Sequence, residues 1–160
     1  MKKLILLLGF TAGILLVSTS VTNAQQTYKN ALGGRLGTAN GITFKTFVDS
    51  DRALDFILNF QSKKDYSYFR FTGLYEIHNP INNAPGLRWY YGPGATIGNV
   101  RYKPLDQSDL LISIDGVLGL DYKFDGAPIN LSLDWKPAIE VTPNTEFNAE
   151  GIGLSIRFTF

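Results

Sequence analysis

His78 is the only histidine of the chain, and it follows Glu76 by two residues. On a strand that spacing puts both side chains on one face. A histidine beside a carboxylate can serve as a general base, but it needs a nucleophile or a proton-transfer partner in reach. No Ser/His/Asp pattern, cysteine or glycine-rich phosphate loop supplies one. Glu-Ile-His also falls short of a metal site, which wants three or four ligands. With Asn79-Pro80 directly after it, His78 reads as a rim residue at a strand end.

Asp115 and Asp121 lie six residues apart on one face, and Asp134 and Lys136 share a face in Asp-Trp-Lys-Pro. Paired carboxylates can do acid–base work. The plainer account makes them counter-charges to Arg35, Arg88, Lys123 and Arg157 in a packed interior. Lys63-Lys64, Arg101 and Lys103 fall in two connections at the end away from the termini. They are of a type that meets anionic headgroups, although a solvated loop is the default. The expectation is therefore no catalytic residue, no metal and no cofactor.

The elements that must position these residues follow from hydrophobic alternation. Gly151 to Phe160 alternates apolar and polar without a break, which is the period of a half-buried strand. The same pattern recurs in eight segments, 30–38, 41–48, 53–61, 67–78, 87–99, 110–124, 128–141 and 149–160. Connections rich in Asn, Asp, Gly and Pro separate them, as hairpins require. Asp51 to Asn59 is the ambiguous one, since Asp49 or Ser50 could also cap a short helix there. A strand keeps the count even, as bacterial membrane barrels require. Pro93 cannot donate to a ladder, so Gly92-Pro93-Gly94 is expected to form a bulge or kink.

The two faces differ sharply in chemistry. On the last strand Ile152, Leu154, Ile156, Phe158 and Phe160 oppose Ser155, Arg157 and Thr159. On the seventh, Ile129, Leu131, Leu133, Trp135 and Ile139 oppose Asn130, Ser132, Asp134, Lys136 and Glu140. The charged set within strands is Arg35, Lys45, Arg70, Arg88, Lys123, Lys136 and Arg157 against Asp55, Glu76, Asp115, Asp121, Asp134 and Glu140. All of it lies opposite the apolar stripe and is nearly self-neutralising. A soluble sandwich or ligand-binding barrel would put the apolar face inside. An eight-stranded membrane barrel does the reverse, and its lumen has room for little beyond side chains. Trp89, Tyr91, Phe124, Phe158 and Phe160 gather near the end shared with the termini, where an aromatic girdle would sit.

The first 24 residues read as a cleaved secretory signal. Lys2-Lys3 precede an apolar run from Leu4 to Val17, and Thr22-Asn23-Ala24 offers a cleavage site. The run is shorter than the roughly 18–20 residues of a membrane helix. Residues 25–160 then form one domain. Its 13 basic residues, 15 less Lys2 and Lys3, face 14 acidic ones, which gives −1 and no reason to expect nucleic-acid binding.

Five stretches carry a family resemblance: Gly41 to Phe47, Phe71 to His78, Trp89 to Gly94, Ile114 to Phe124 and Pro128 to Pro137. Together they resemble the small outer-membrane β-barrel proteins of Bacteroidetes-type bacteria, over nearly the whole mature chain. The resemblance implies an eight-stranded barrel of OmpX-like shape, inserted by the outer-membrane assembly machinery, with Phe160 similar to the aromatic terminus that machinery recognises. It transfers no catalytic residue, and Pro93 departs from the family pattern. The reading is an all-β, up-and-down transmembrane barrel with a polar, side-chain-filled lumen. It is expected to be a monomer in contact with outer-membrane lipids and structural or interfacial in role. The alternatives are an outer-membrane lipid-modifying enzyme and a soluble periplasmic barrel that binds a small apolar ligand.

Overall fold

The computed structural model describes residues 28–62, 64–102, 104 and 107–160. The expected signal segment, Lys63 and Lys103 lie outside them. Among the described residues there are ten strands: β1 Asn30–Gly37, β2 Gly41–Phe47, β3 Arg52–Ser62, β4 Tyr66–Pro80, β5 Leu87–Tyr102, β6 Gln107–Lys123, β7 Ile129–Trp135, β8 Ala138–Thr142, β9 Glu146–Asn148 and β10 Ile152–Thr159. They pair in the order β5-β4-β3-β2-β1-β10-β7-β6, and a β5–β6 ladder closes the sheet into an antiparallel eight-stranded barrel. Closure leaves none of these strands with an unpaired edge.

Residues 52–62 are a full strand, with rungs such as Phe44↔Phe56 and Lys45↔Asp55. Alternation outweighs the local capping signal because helix would break both neighbouring ladders. The seventh expected strand divides into β7 and β8. Pro137 has no amide to give β6, and the β6 ladder skips Gly116 and Val117 opposite Lys136 and Pro137. The β8 side chains keep the alternation of β7, but β8 pairs onward with β9 through Ile139↔Phe147. The last hairpin thus extends past the barrel, and β9 falls where a plain connection was expected. At Pro93 no bulge forms. The β4–β5 ladder omits the rungs of Tyr75 and Glu76 with Gly92 and Pro93, and its register is the same on both sides of the gap. Pro93 still stands opposite Gly116 on β6.

The wall is uneven in height. β4, β5 and β6 have 15, 16 and 17 residues, whereas β1, β2 and β10 have 8, 7 and 8. Turns at the end shared with the termini are short. In the one after β4, Asn83 and Gly86 take positive φ values of 62° and 81°, which an Asn and a Gly tolerate best. The exterior is apolar all round, with Leu32, Ile42, Phe71, Ile97, Ile114, Leu133 and Ile156 among its exposed side chains. Trp89, Tyr91, Phe124, Phe158 and Phe160 are also exposed, with Trp89 stacked on Tyr91 at 5.3 Å and Phe158 on Phe160 at 6.5 Å.

Candidate functional site

The interior is arranged in three levels. Nearest the termini is a fully buried network. Lys45 Nζ lies 2.7 Å from Glu76 Oε2, 3.3 Å from Asp121 Oδ1 and 4.0 Å from Asp55 Oδ2. It also sits 4.4 Å above the Tyr90 ring, a cation–π contact. Arg157 Nη2 meets Asp55 at 2.5 Å, its Nε donates to Thr43 at 3.0 Å, and its Nη1 donates to Ser132 at 2.7 Å and Asn130 at 3.2 Å. Asn130 in turn donates to Asp121 at 2.8 Å. Burial of so many charges is tolerable only because each cation has an acid and further hydrogen bonds. Tyr28, just ahead of β1, points its hydroxyl at Asp121, 3.4 Å away. Burial, then the Asp121 charge, pushes its phenol well above the ordinary value, so it joins as a neutral donor.

His78 belongs to this level and is not a rim residue. It is buried, its Nε2 is 2.9 Å from Glu76 Oε2, and its ring lies 4.9 Å from both Phe47 and Tyr90. It does stand near the end of β4, but the register turns that end into the lumen against Phe47. Glu76 and His78 form a pair with no open side for a substrate.

The middle level is a bidentate pair in an apolar collar. Arg35 meets Asp134 through Nη1–Oδ2 at 2.7 Å and Nη2–Oδ1 at 2.5 Å, and Tyr90 donates to the same carboxylate at 3.0 Å. Ile57, Leu74 and Val117 pack about Tyr90 as a buried cluster. Two glycines make the room. A Cβ at Gly153 would lie 2.2 Å from the Arg35 guanidinium, and one at Gly119 would lie 2.7 Å from the Tyr90 hydroxyl.

The outer level is looser. Lys136 Nζ is 3.4 Å from Asp115, which also accepts from Ser113 at 2.8 Å and from Thr96. Thr72 and Thr96 share a 2.6 Å hydrogen bond. Above them opens a cavity of about 70 Å³, lined among others by Arg70, Thr72, Ser113, Lys136, Glu140 and Glu150.

The expected charged residues therefore separate. Arg35, Lys45, Asp55, Glu76, Asp115, Asp121, Asp134 and Arg157 are buried inside the barrel. Arg70, Lys136 and Glu140 are half-buried at the outer mouth. Arg88 and Lys123 are not packed in the lumen. Arg88 is half-exposed and donates to the Ser50 carbonyl at 3.2 Å, while Lys123 donates to the carbonyls of Phe124 at 2.7 Å and Ala127 at 2.6 Å. Both stand near strand ends, and alternation assigns a face without assigning a depth. Asp134 is thus the partner of Arg35, and Asp121 of Lys45. Sequence reasoning missed Tyr28, Thr43 and the central place of Tyr90. It also missed Ile57, Leu74 and Val117, whose position on the inward face was the available signal. Among the described residues no group of three or more His, Cys, Asp or Glu is placed to hold a metal ion.

No protein-family model matches the chain, and no curated protein matches its sequence. A similar solved structure is the crystal structure of Neisserial surface protein A (NspA). It aligns with a TM-score of 0.53 at 10% identity, over 82% of this chain and 93% of that one. At that identity the likeness is one of fold, the closed eight-stranded antiparallel barrel.

Proposed function

We propose that the chain is a small integral outer-membrane β-barrel protein, monomeric, with a structural or interfacial role and no catalytic activity. The observation that carries this reading is the inversion of the usual soluble arrangement. Leucine, isoleucine and phenylalanine cover the outside, while ion pairs fill the inside. A soluble monomer rarely exposes apolar patches beyond a few hundred Å². In lipid the same surface is favourable, whereas an outward Arg or Lys at the midplane would cost about 2–4 kcal/mol. The lumen is plugged at two levels, which fits a barrel that does not conduct. The likeness in fold to a Neisserial surface protein agrees with an outer-membrane location. Kinship with Bacteroidetes-type, OmpX-like barrels is part of the proposal and rests on the stretches quoted above. Export by a cleaved signal at residues 1–24 is also part of the proposal and rests on Lys2-Lys3, the apolar run from Leu4 to Val17 and Thr22-Asn23-Ala24. With the termini in the periplasm, the cavity beside Arg70 faces outside the cell.

Catalysis on lipid would require a histidine that reaches the outer rim, and His78 is enclosed at the opposite end. Fractionation of cells expressing the full chain tests the reading. The protein is expected in the outer-membrane fraction, running faster unheated than boiled on SDS gels. In planar bilayers it should show no stable conductance, and His78→Ala should leave lipid A unchanged by mass spectrometry. A soluble periplasmic protein without a heat shift overturns the proposal.

A further inference from the structure

We propose that the outer mouth of the lumen binds a compact oxyanion, a carboxylate or a phosphate, on the guanidinium of Arg70. The cations of the lumen are unevenly paired. Arg35, Lys45, Lys136 and Arg157 each hold a carboxylate within 4.0 Å. Arg70, on β4, forms no ion pair with any described residue, and its Nε is buried without a hydrogen-bond partner. Its guanidinium carbon lies 4.7 Å from the centre of the Tyr68 ring, a cation–π contact. Arg70 is only half-buried, but it carries a cation without an acid at a polar mouth, and its buried Nε lacks the partner that buried donors in native structures usually have.

The surroundings fit such a ligand. Arg70 lines the cavity of about 70 Å³, which has room for a carboxylate or phosphate head. Thr72 and Ser113 put hydroxyls on its wall, and Lys136, whose side chain is 18% exposed, adds a second cation. A guanidinium offers its two Nη groups as a planar fork that matches two oxygens at once. The Tyr68 face holds that plane in place. Glu140 and Glu150 line the same cavity. Their repulsion limits the charge admitted, so a singly charged head is the better fit, and they can accept from hydroxyls carried by the same molecule. Such heads occur on soluble acidic molecules and on phosphodiester lipid headgroups, and the chemistry at Arg70 is common to both. That the mouth opens outside the cell rests on the orientation proposed above. The binding itself does not.

The test is an NMR titration of the full barrel, read at the Arg70 Nε–Hε resonance and, so that the Arg70 variants can be followed as well, at the backbone amides of Thr72 and Ser113, which line the same cavity. Sodium acetate and sodium phosphate are added in neutral detergent micelles. In parallel, phosphatidylcholine nanodiscs are compared with and without phosphatidylglycerol. A saturable shift in micelles supports the proposal with a free anion as ligand. A shift found only with phosphatidylglycerol supports it with a lipid headgroup as ligand. Arg70→Lys keeps the charge but loses the fork and should weaken binding about tenfold or more, and Arg70→Gln should abolish it. Both variants must retain the heat-shifted band, which the loss of an unpaired charge does not threaten. No saturable shift in either medium, or equal affinity in Arg70→Gln, overturns the proposal. The membrane reading is judged separately by fractionation, so the two can fail independently.

Discussion

The two ends of the lumen are built from the same strands and the same alternation, yet they are opposites. At the end near the termini, Lys45 and Arg157 are 0% and 1% exposed and each engages at least one carboxylate. At the outer end, Arg70 has no acid partner within ion-pair distance, Lys136 makes one partly exposed pair, and both line a cavity together with Glu140 and Glu150. The difference shows where a small barrel keeps its stability and where it has room for a ligand. A closed network holds strands in register because breaking any contact strands a charge. An open one leaves donors to spare.

Substitutions can set the two ends against each other. The largest effect is expected at Arg157→Met, which leaves Asp55 buried without its main partner. It should cost about 3–5 kcal/mol, measured as the urea unfolding midpoint in detergent. Adding Asp55→Leu should recover much of that loss, as non-additivity within one network requires. Next is Gly153→Ala, whose methyl would occupy the space of the Arg35 guanidinium. A loss of about 1–3 kcal/mol is expected from displacing the Arg35–Asp134 pair. Gly126→Ala supplies a control with free space, where only the turn's φ of 70° opposes the change.

At the outer level Lys136→Met should cost less than Arg157→Met, about 1–2 kcal/mol, because the Lys136 amine is partly exposed and the buried Asp115 keeps hydrogen bonds from Ser113 and Thr96. Arg70→Met should change the midpoint by about 0.5 kcal/mol or less, since it removes a charge without an acid partner and loses only the contact with Tyr68. Equal, large losses at Arg157 and Arg70 would abolish the contrast between the two ends.

Much of this was legible in the residues. Strand number, the face of each charge and the strand at 52–62 follow from period-two alternation, a local property that survives without knowledge of neighbours. Pro93 and Pro137 were harder. A missing amide was expected to distort β5 at Pro93, but the gap is absorbed by two omitted rungs. Pro137 instead ends the β6–β7 ladder, and β8 starts beyond it. Which outcome occurs depends on the strand that faces the proline, and the proline's own segment does not carry that information.

By itself, then, the sequence determined an all-β chain whose strands have one apolar face and one charged face. It also determined that the charges nearly cancel. Only the tertiary structure decided which charges meet. Arg35 and Asp134 are 99 residues apart, and Arg157 and Asp55 are 102 apart. Their contact depends on closure and on the register of every intervening ladder. The depth of a side chain along the lumen is set in the same way. That is why Arg88 and Lys123 end at the rim, why His78 is sealed against Glu76, and why Arg70 is left over at the mouth. Alternation fixes direction residue by residue, whereas partnership is a property of the closed sheet.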